Sequence, residues 1–217
     1  MKLSNLKYFW VFIIILSIGL YLYRLNRSEV LETTLSYIIE DFFIDHADKN
    51  LMLGSSSIKR LDHLKYLSCG SWVNRGIGNS VIEDLSRYVD FTPLSIKPKI
   101  ILLYAGENDI SRGINTETTI NAMKALIDTL IEKFPESSIH IIAIKPSPKR
   151  ELFWKDFHVV NGNVKKYVQS LNSVFFHSHF KQDNKNKSLN FVADGVHLSD
   201  NGYRVFTKGV KEACEIK

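Results

Sequence analysis

The sequence predicts an α/β fold built on a parallel sheet with helices on both faces. Short runs of continuous apolar residues, such as 100–104 (IILLY), alternate with stretches of helical apolar spacing along most of the chain. The runs lack the in–out alternation of half-exposed strands, as expected of strands buried on both faces. Gly54-Ser55-Ser56, Gly78-Asn79 and Gly106-Glu107-Asn108 each fall just after such a run. Parallel sheets bind ligands beyond the carboxyl ends of their strands, so these three turns point to one rim.

The elements follow in order. Residues 8–23 (YFWVFIIILSIGLYLY) carry no charge and are bracketed by Lys2, Lys7, Arg24 and Arg27. Sixteen helical residues reach roughly 24 Å, a little short of a ~30 Å hydrocarbon core, and aromatic ends with a snorkelling Arg24 close the gap. The segment is read as an N-terminal transmembrane helix, a signal-anchor over residues 1–27. The rival reading is a signal peptide cleaved near Ser17-Ile18-Gly19. With a very short tail left in the cytoplasm, this single-pass membrane protein would hold its domain outside the cytoplasm.

Residues 28–48 read as a helix and linker, with Leu31, Leu35, Ile38, Ile39 and Phe42 at helical spacing. The remaining domain, 49–217, contains expected strands at 50–53, 72–74, 99–104, 139–144 and 173–176. Helices are expected at 57–66, 81–89, 116–133, 164–171 and 199–212. In the third, Ile120, Met123, Ile127, Leu130 and Phe134 form one stripe; in the last, Tyr203, Phe206, Val210 and Cys214 do the same. Residues 146–163 (PSPKRELFWKDFHVVNGN) read as a long connection, the length at which loops serve as lids. Its Arg150 and Trp154 are candidate substrate contacts, as is Gly78.

A chain of 217 residues holds one substantial core. The net charge of +5 is spread along the sequence, and the cluster at 181–187 (KQDNKNK) has no interleaved aromatics. It is expected to be a solvated loop, with no nucleic-acid partner. Cys69 and Cys214 are expected to be small buried or half-buried residues and not a disulfide or a metal pair. His177 and His179 face one side of an extended segment, but no further ligand lies nearby; no metal and no other cofactor is expected. A nucleotide site is disfavoured because no Gly-rich phosphate loop with Lys appears.

The chemistry concentrates in three pieces: 54–57 (GSSS), 106–109 (GEND) and 194–197 (DGVH). A hydroxyl nucleophile, an amide donor, and an imidazole with a carboxylate three residues away are the parts acyl transfer requires. The hydroxyl needs a base for its proton, and the oxyanion needs preorganised donors. The sequence physics alone leaves Ser55, Ser56 and Ser57 open, and one of them is expected to cap a helix.

These pieces resemble the four sequence blocks of the SGNH (GDSL-type) hydrolases. Residues 53–58 (LGSSSI) resemble the first block, with Ser55 where many members carry Asp. Residues 74–80 (NRGIGNS) resemble the second, 104–109 (YAGEND) the third and 194–199 (DGVHLS) the fourth. The likeness runs from about Lys49 to the C-terminus. It implies a flavodoxin-like three-layer α/β/α sandwich with a five-stranded parallel sheet. It also selects Ser56 as nucleophile, His197 as general base and then acid, and Asp194 as the carboxylate that orients the ring. The oxyanion hole would take the Ser56 N–H, the Asn108 amide and the N–H of residue 79. In that last position the family usually carries Gly and this chain has Asn79, with Gly78 one residue earlier. A side chain at 79 would narrow the acyl pocket.

The expected activity is a serine esterase cleaving a short acyl ester, such as O-acetyl, of a cell-surface carbohydrate or lipid. The glycan is favoured because no extended apolar loop suits a long acyl tail. Two alternatives use the same scaffold. One is O-acyl transfer to a sugar hydroxyl by the same residues, and the other is a non-catalytic glycan-binding domain, against which the intact Ser56, Asn108, Asp194 and His197 speak.

Overall fold

The computed structural model describes residues 10, 13, 14, 16, 17, 29–67, 70–92, 96–180 and 187–215. The elements are α1 (29–43), β1 (Asn50–Gly54), α2 (Ser56–Lys59), α3 (His63–Tyr66), β2 (Trp72–Gly76), α4 (Ile82–Phe91) and β3 (Ile100–Tyr104). There follow α5 (Glu107–Ser111), α6 (Thr116–Lys133), β4 (Ser138–Ile142), a 3-10 segment (Pro148–Phe153), α7 (Trp154–Val168), β5 (Val174–His177), α8 (Lys187–Asn190) and α9 (Asp200–Glu215). The five strands are all parallel, in the order β2-β1-β3-β4-β5. This is the doubly wound order whose ligand crevice lies beside the first strand, where the winding reverses.

Both faces of the sheet are covered, because alternate residues of each central strand enter different cores. Leu51, Leu53, Ile101 and Leu103 pack with α4, α6 and α7, through residues such as Leu85, Ile127 and Val160. Met52, Leu102 and Tyr104 face the other way, against Tyr203, Phe206 and Val210 of α9. Local signals set the helix starts. Asn115 caps α6 by accepting from the Thr118 N–H at 2.8 Å, and Asp84 reaches back to accept from the Val81 N–H at 3.0 Å.

The structure revises four expectations. The helix expected over 57–66 is two single turns, α2 and α3, because Asp62 restarts the helix by accepting from the Lys65 N–H at 3.3 Å. The connection expected over 146–163 is mostly helical. Phe157, Val160, Val164 and Val168 form a buried stripe on α7, and Asn161 spends its side chain on both the N–H and the C=O of Ile144 (2.8 and 2.9 Å). The helix preceding β1 buries a different face from the one its apolar spacing picks out. Leu31, Leu35, Ile39 and Phe42 are exposed, whereas Val30, Thr34 and Asp41 are buried. Asp41 is drawn inward by Arg75 of β2, whose guanidinium donates to both Asp41 and Glu40, and Asp41 also accepts from the hydroxyl of Tyr88. Finally, Cys214 is disulfide-bonded. Cys69, outside the described residues, is the only other cysteine of the chain. Wide separation in sequence says nothing about distance in a wound sheet, which is why spacing gave no sign of the bond at Cys214.

The anchor expected over residues 1–27 lies almost wholly outside the described residues. Among those described, no helix is long and apolar enough to cross a membrane.

Three histidines stack at the β5 edge. His140 Nδ1 lies 2.9 Å from His177 Nε2, and the His177 and His179 rings stack at 6.0 Å between centroids. Burial pushes the His140 pKa down to about 4, with His177 beside it adding to the effect. Burial does the same for His177, also to about 4, with His179 adding and Glu212 opposing. Unfolded histidine titrates at about 6.5, so between that value and about 4 the unfolded chain binds more protons and stability falls as pH drops. Asp109 works in the opposite sense: burial raises it to about 6, so in that range it is the folded chain that binds the extra proton. The prediction is therefore a difference. The urea midpoint of the wild type should fall more steeply from pH 7 to pH 5 than that of His177→Gln; parallel profiles would show that folding does not depress the His177 pKa.

Candidate active site

The first three sequence blocks leave adjacent strand ends. Gly54 of β1 is paired with Gly76 of β2 on one side and Tyr104 of β3 on the other. Beyond that row, the Ile77 N–H donates to Gly54 O at 2.8 Å and the Ser55 N–H to Tyr104 O at 3.2 Å. A Cβ on Gly54 would stand 2.3 Å from Tyr104 O. Glycine is required there for the serine turn to lie so close to β3.

Burial and geometry together separate the three serines. Ser55 and Ser57 are buried, whereas Ser56, the first residue of α2, is half-exposed. Ser56 Oγ lies 3.2 Å from His197 Nε2, and His197 Nδ1 lies 2.6 Å from Asp194 Oδ2. The other Asp194 oxygen accepts from the N–H groups of Val196 (2.8 Å) and His197 (2.9 Å). Partial desolvation raises the Asp194 pKa, but the His197 ring and these two N–H groups outweigh it and hold the carboxyl below the usual carboxylate range. An ionised Asp194 accepting at Nδ1 fixes the proton there, which leaves Nε2 as the acceptor facing Ser56. The loop is pinned independently of this line. Val192 N–H donates to His197 O at 2.9 Å, and Lys149 N–H donates to Gly195 O at 3.0 Å. Because α2 is a single turn, a helix dipole behind the serine contributes little.

Asn108 sits in the first turn of α5, buried. Its Nδ2 donates to Ser80 O at 2.9 Å, and its Oδ1 accepts from Arg150 Nη2 at 2.9 Å. The second Nδ2 hydrogen remains for a ligand oxygen. Asn79 is exposed and has φ 60°, the left-handed conformation that Asn tolerates better than most residues; Gly78 does not have a positive φ. The conformational demand for glycine thus falls on position 79, and Arg112 Nη2 holds the carbonyl of that residue at 2.6 Å. Asp109 braces the same stretch by accepting from the Ile82 N–H at 3.1 Å.

Of the weaker candidates, Trp154 is half-buried against the core and donates its indole N–H to Ser147 O at 3.1 Å. Arg150 faces inward, and its guanidinium binds Glu107 as well as Asn108. Glu107 is the centre of a cluster that sequence reasoning missed. It is fully buried and accepts from Lys145, from the Ser147 hydroxyl and from the Tyr104 hydroxyl (2.6 Å), with Arg150 Nη1 at 3.1 Å. Burial raises the Glu107 pKa, but Lys145 and Arg150 outweigh it and hold the group ionised; burial lowers Lys145. The one signal in the sequence was a lysine closing the apolar run of β4, which reads equally well as a loop residue. Among the described residues no group of His, Cys, Asp or Glu is arranged to hold a metal ion.

The sequence profile of the GDSL-like lipase/acylhydrolase family matches residues 62–205, most of the chain. The chain belongs to that family. It is an ester hydrolase of the GDSL type, and its fold is shared with solved structures of the same kind. A Streptococcus pneumonia protein provisionally assigned as a platelet activating factor superposes with a TM-score of 0.78 at 20% identity, covering 92% of this chain and 99% of that one. A GDSL-like lipase from Bacteroides thetaiotaomicron gives 0.69 at 16% identity, covering 84% and 97%. A family 3 carbohydrate esterase from Clostridium thermocellum gives 0.59 at 18% identity, covering 76% and 98%. A search of curated proteins returned no match. The family profile begins at residue 62, beyond Ser56, so in this GDSL-like hydrolase the serine rests on its geometry.

Proposed function

We propose that this hydrolase cleaves a short acyl ester, an O-acetyl group of a cell-surface carbohydrate, through a seryl intermediate on Ser56. The observation that carries the reading is the unbroken line Asp194–His197–Ser56, with links of 2.6 and 3.2 Å. Ser56 Oγ bonds to the carbonyl carbon while its proton passes to His197 Nε2, and Asp194 stabilises the imidazolium. The carbonyl oxygen becomes the oxyanion and accepts from Asn108 Nδ2 and from the backbone N–H groups of Ser56 and Asn79. Collapse breaks the bond to the sugar oxygen, which takes the proton from His197. Water then loses a proton to His197 as its oxygen attacks the seryl ester; the bond from the acyl carbon to Ser56 Oγ breaks, Oγ takes that proton back from His197, and the acetyl group leaves as acetic acid. These steps call on no metal or cofactor.

Other features support the finer reading. Carbohydrate esterases are among the proteins of this fold. A disulfide at Cys214 fits an oxidising, extracytoplasmic compartment, as does an apolar segment at residues 8–23 serving as a membrane anchor. The test uses protein lacking residues 1–27 and p-nitrophenyl esters of increasing chain length. Acetyl should turn over well and octanoyl poorly, and Asn79→Gly should relax the preference toward longer chains with little change for acetyl. An unchanged profile in Asn79→Gly would show that the side chain does not line the acyl pocket. Efficient cleavage of octanoyl by the wild type would overturn the short-acyl reading.

A further inference from the structure

We propose that Arg150 is a positioning residue of the oxyanion hole: its guanidinium bridges buried Glu107 and the Asn108 carbonyl oxygen, so that Asn108 presents its amide nitrogen to the reacting ester. This rests on the assignment of Asn108 as oxyanion donor.

A primary amide has two faces of opposite use. Rotated by half a turn about its last bond, Asn108 would point a carbonyl oxygen at the oxyanion and repel the charge it should stabilise. The flip costs little unless partners forbid it, because the two ends have nearly the same shape. Here both ends are held. Oδ1 accepts from Arg150 Nη2 at 2.9 Å, and one Nδ2 hydrogen goes to Ser80 O at 2.9 Å. A flipped amide would set its NH2 against the guanidinium and its oxygen against the Ser80 carbonyl.

The clamp on Oδ1 works only if Arg150 is itself fixed, and Glu107 fixes it. The Glu107 carboxylate is fully buried and takes hydrogen bonds from Tyr104, at the end of β3, and from Lys145 and Ser147, in the loop after β4. With that anchor set, the second guanidinium nitrogen, Nη1 at 3.1 Å from Glu107 Oε1, leaves Nη2 one place to go. The planar fork of arginine suits such a bridge, since its nitrogens keep a fixed separation. Donation by a cation to Oδ1 also polarises the amide and makes its remaining N–H a stronger donor. Arg150 lies at a kink in the 3-10 segment (φ −112°, ψ 28°), which turns its side chain back toward α5. Its neighbour Lys149 is bonded to Gly195 of the histidine loop. One segment thus ties the oxyanion donor to the general base.

The test is a double-mutant cycle on p-nitrophenyl acetate. Asn108→Ala should cut kcat by about 10²- to 10³-fold. Arg150→Met should cut kcat by roughly tenfold or more with KM within about twofold, the mark of an interaction that matters in the transition state. In the Asn108→Ala background Arg150→Met should change kcat by less than about twofold, because its effect passes through the amide. Arg150→Lys keeps a cation beside Glu107 and guards against a folding defect; it should fall between wild type and Arg150→Met. Equal losses from Arg150→Met in both backgrounds, a rise in KM at constant kcat, or full activity in Arg150→Lys would each overturn the positioning role. If Asn108→Ala itself retains full kcat, the assignment of the oxyanion donor fails instead, and the two failures are told apart by that single variant.

Discussion

Ser56→Ala should lower kcat on p-nitrophenyl acetate by about a millionfold, and His197→Ala should do nearly the same, as in other enzymes where nucleophile and base act as one unit. The two changes combined should cost little more than either alone. A half-exposed hydroxyl at a strand end contributes little to the core, so the folded state should survive with its urea midpoint almost unmoved. Asp194→Asn should cost less, about 10⁴-fold, through loss of the tautomer that aims Nε2 at the serine. Steady-state kinetics on the four proteins checks the ranking. A Ser56→Ala enzyme within about tenfold of wild type would mean that water is activated directly.

The second large effect is on stability. Asp41 and Arg75 are both buried, and Asp41 also accepts from the Tyr88 hydroxyl at 2.6 Å. Removing Asp41 leaves the Arg75 guanidinium with half-exposed Glu40 at 2.8 Å and the His46 ring at 3.1 Å. Asp41→Ala should therefore destabilise the protein by about 3–5 kcal/mol, a large share of the ~5–15 kcal/mol that holds a domain together. Asp41→Leu combined with Arg75→Met should be less harmful than Asp41→Ala alone, because no buried charge is left unpaired. Urea denaturation of both variants makes the comparison, and a double variant less stable than the single one would refute it. The consequence reaches the site. Arg75 and Gly76 close β2 just before residues 77–80, and Tyr37 of α1 donates to Gly76 O at 3.1 Å. Helix α1 thereby braces the strand that carries the Asn79 turn.

Much of this was legible from residues alone. Runs such as Ile100–Tyr104 are apolar at every position because the sheet is covered on both sides, and no other environment accepts them so readily. The turns after β1, β2 and β3 were recognisable from their glycines, and register then forces them together. What stayed hidden depends on partners distant in sequence. The pattern of α1 shows an apolar stripe, yet the buried face is set by Asp41 meeting Arg75, and the stripe at Leu31, Leu35 and Phe42 is left outside. The start of α7 was masked by Asn161, Gly162 and Asn163, which read as a turn until Asn161 is seen bonded to the backbone of Ile144. Lys145 gave no hint of burial, because only Glu107, thirty-eight residues away, makes a buried lysine tolerable. The choice among three adjacent serines likewise required knowing which hydroxyl meets His197.

The central claim is that Ser56, and neither neighbour, forms the covalent intermediate. Incubation with a fluorophosphonate, proteolysis and mass mapping of residues 51–60 test it most directly. The account predicts a single adduct on Ser56 that is lost in Ser56→Ala. An adduct on Ser55 or Ser57, or a wild type that turns over ester yet takes up no label, would contradict it.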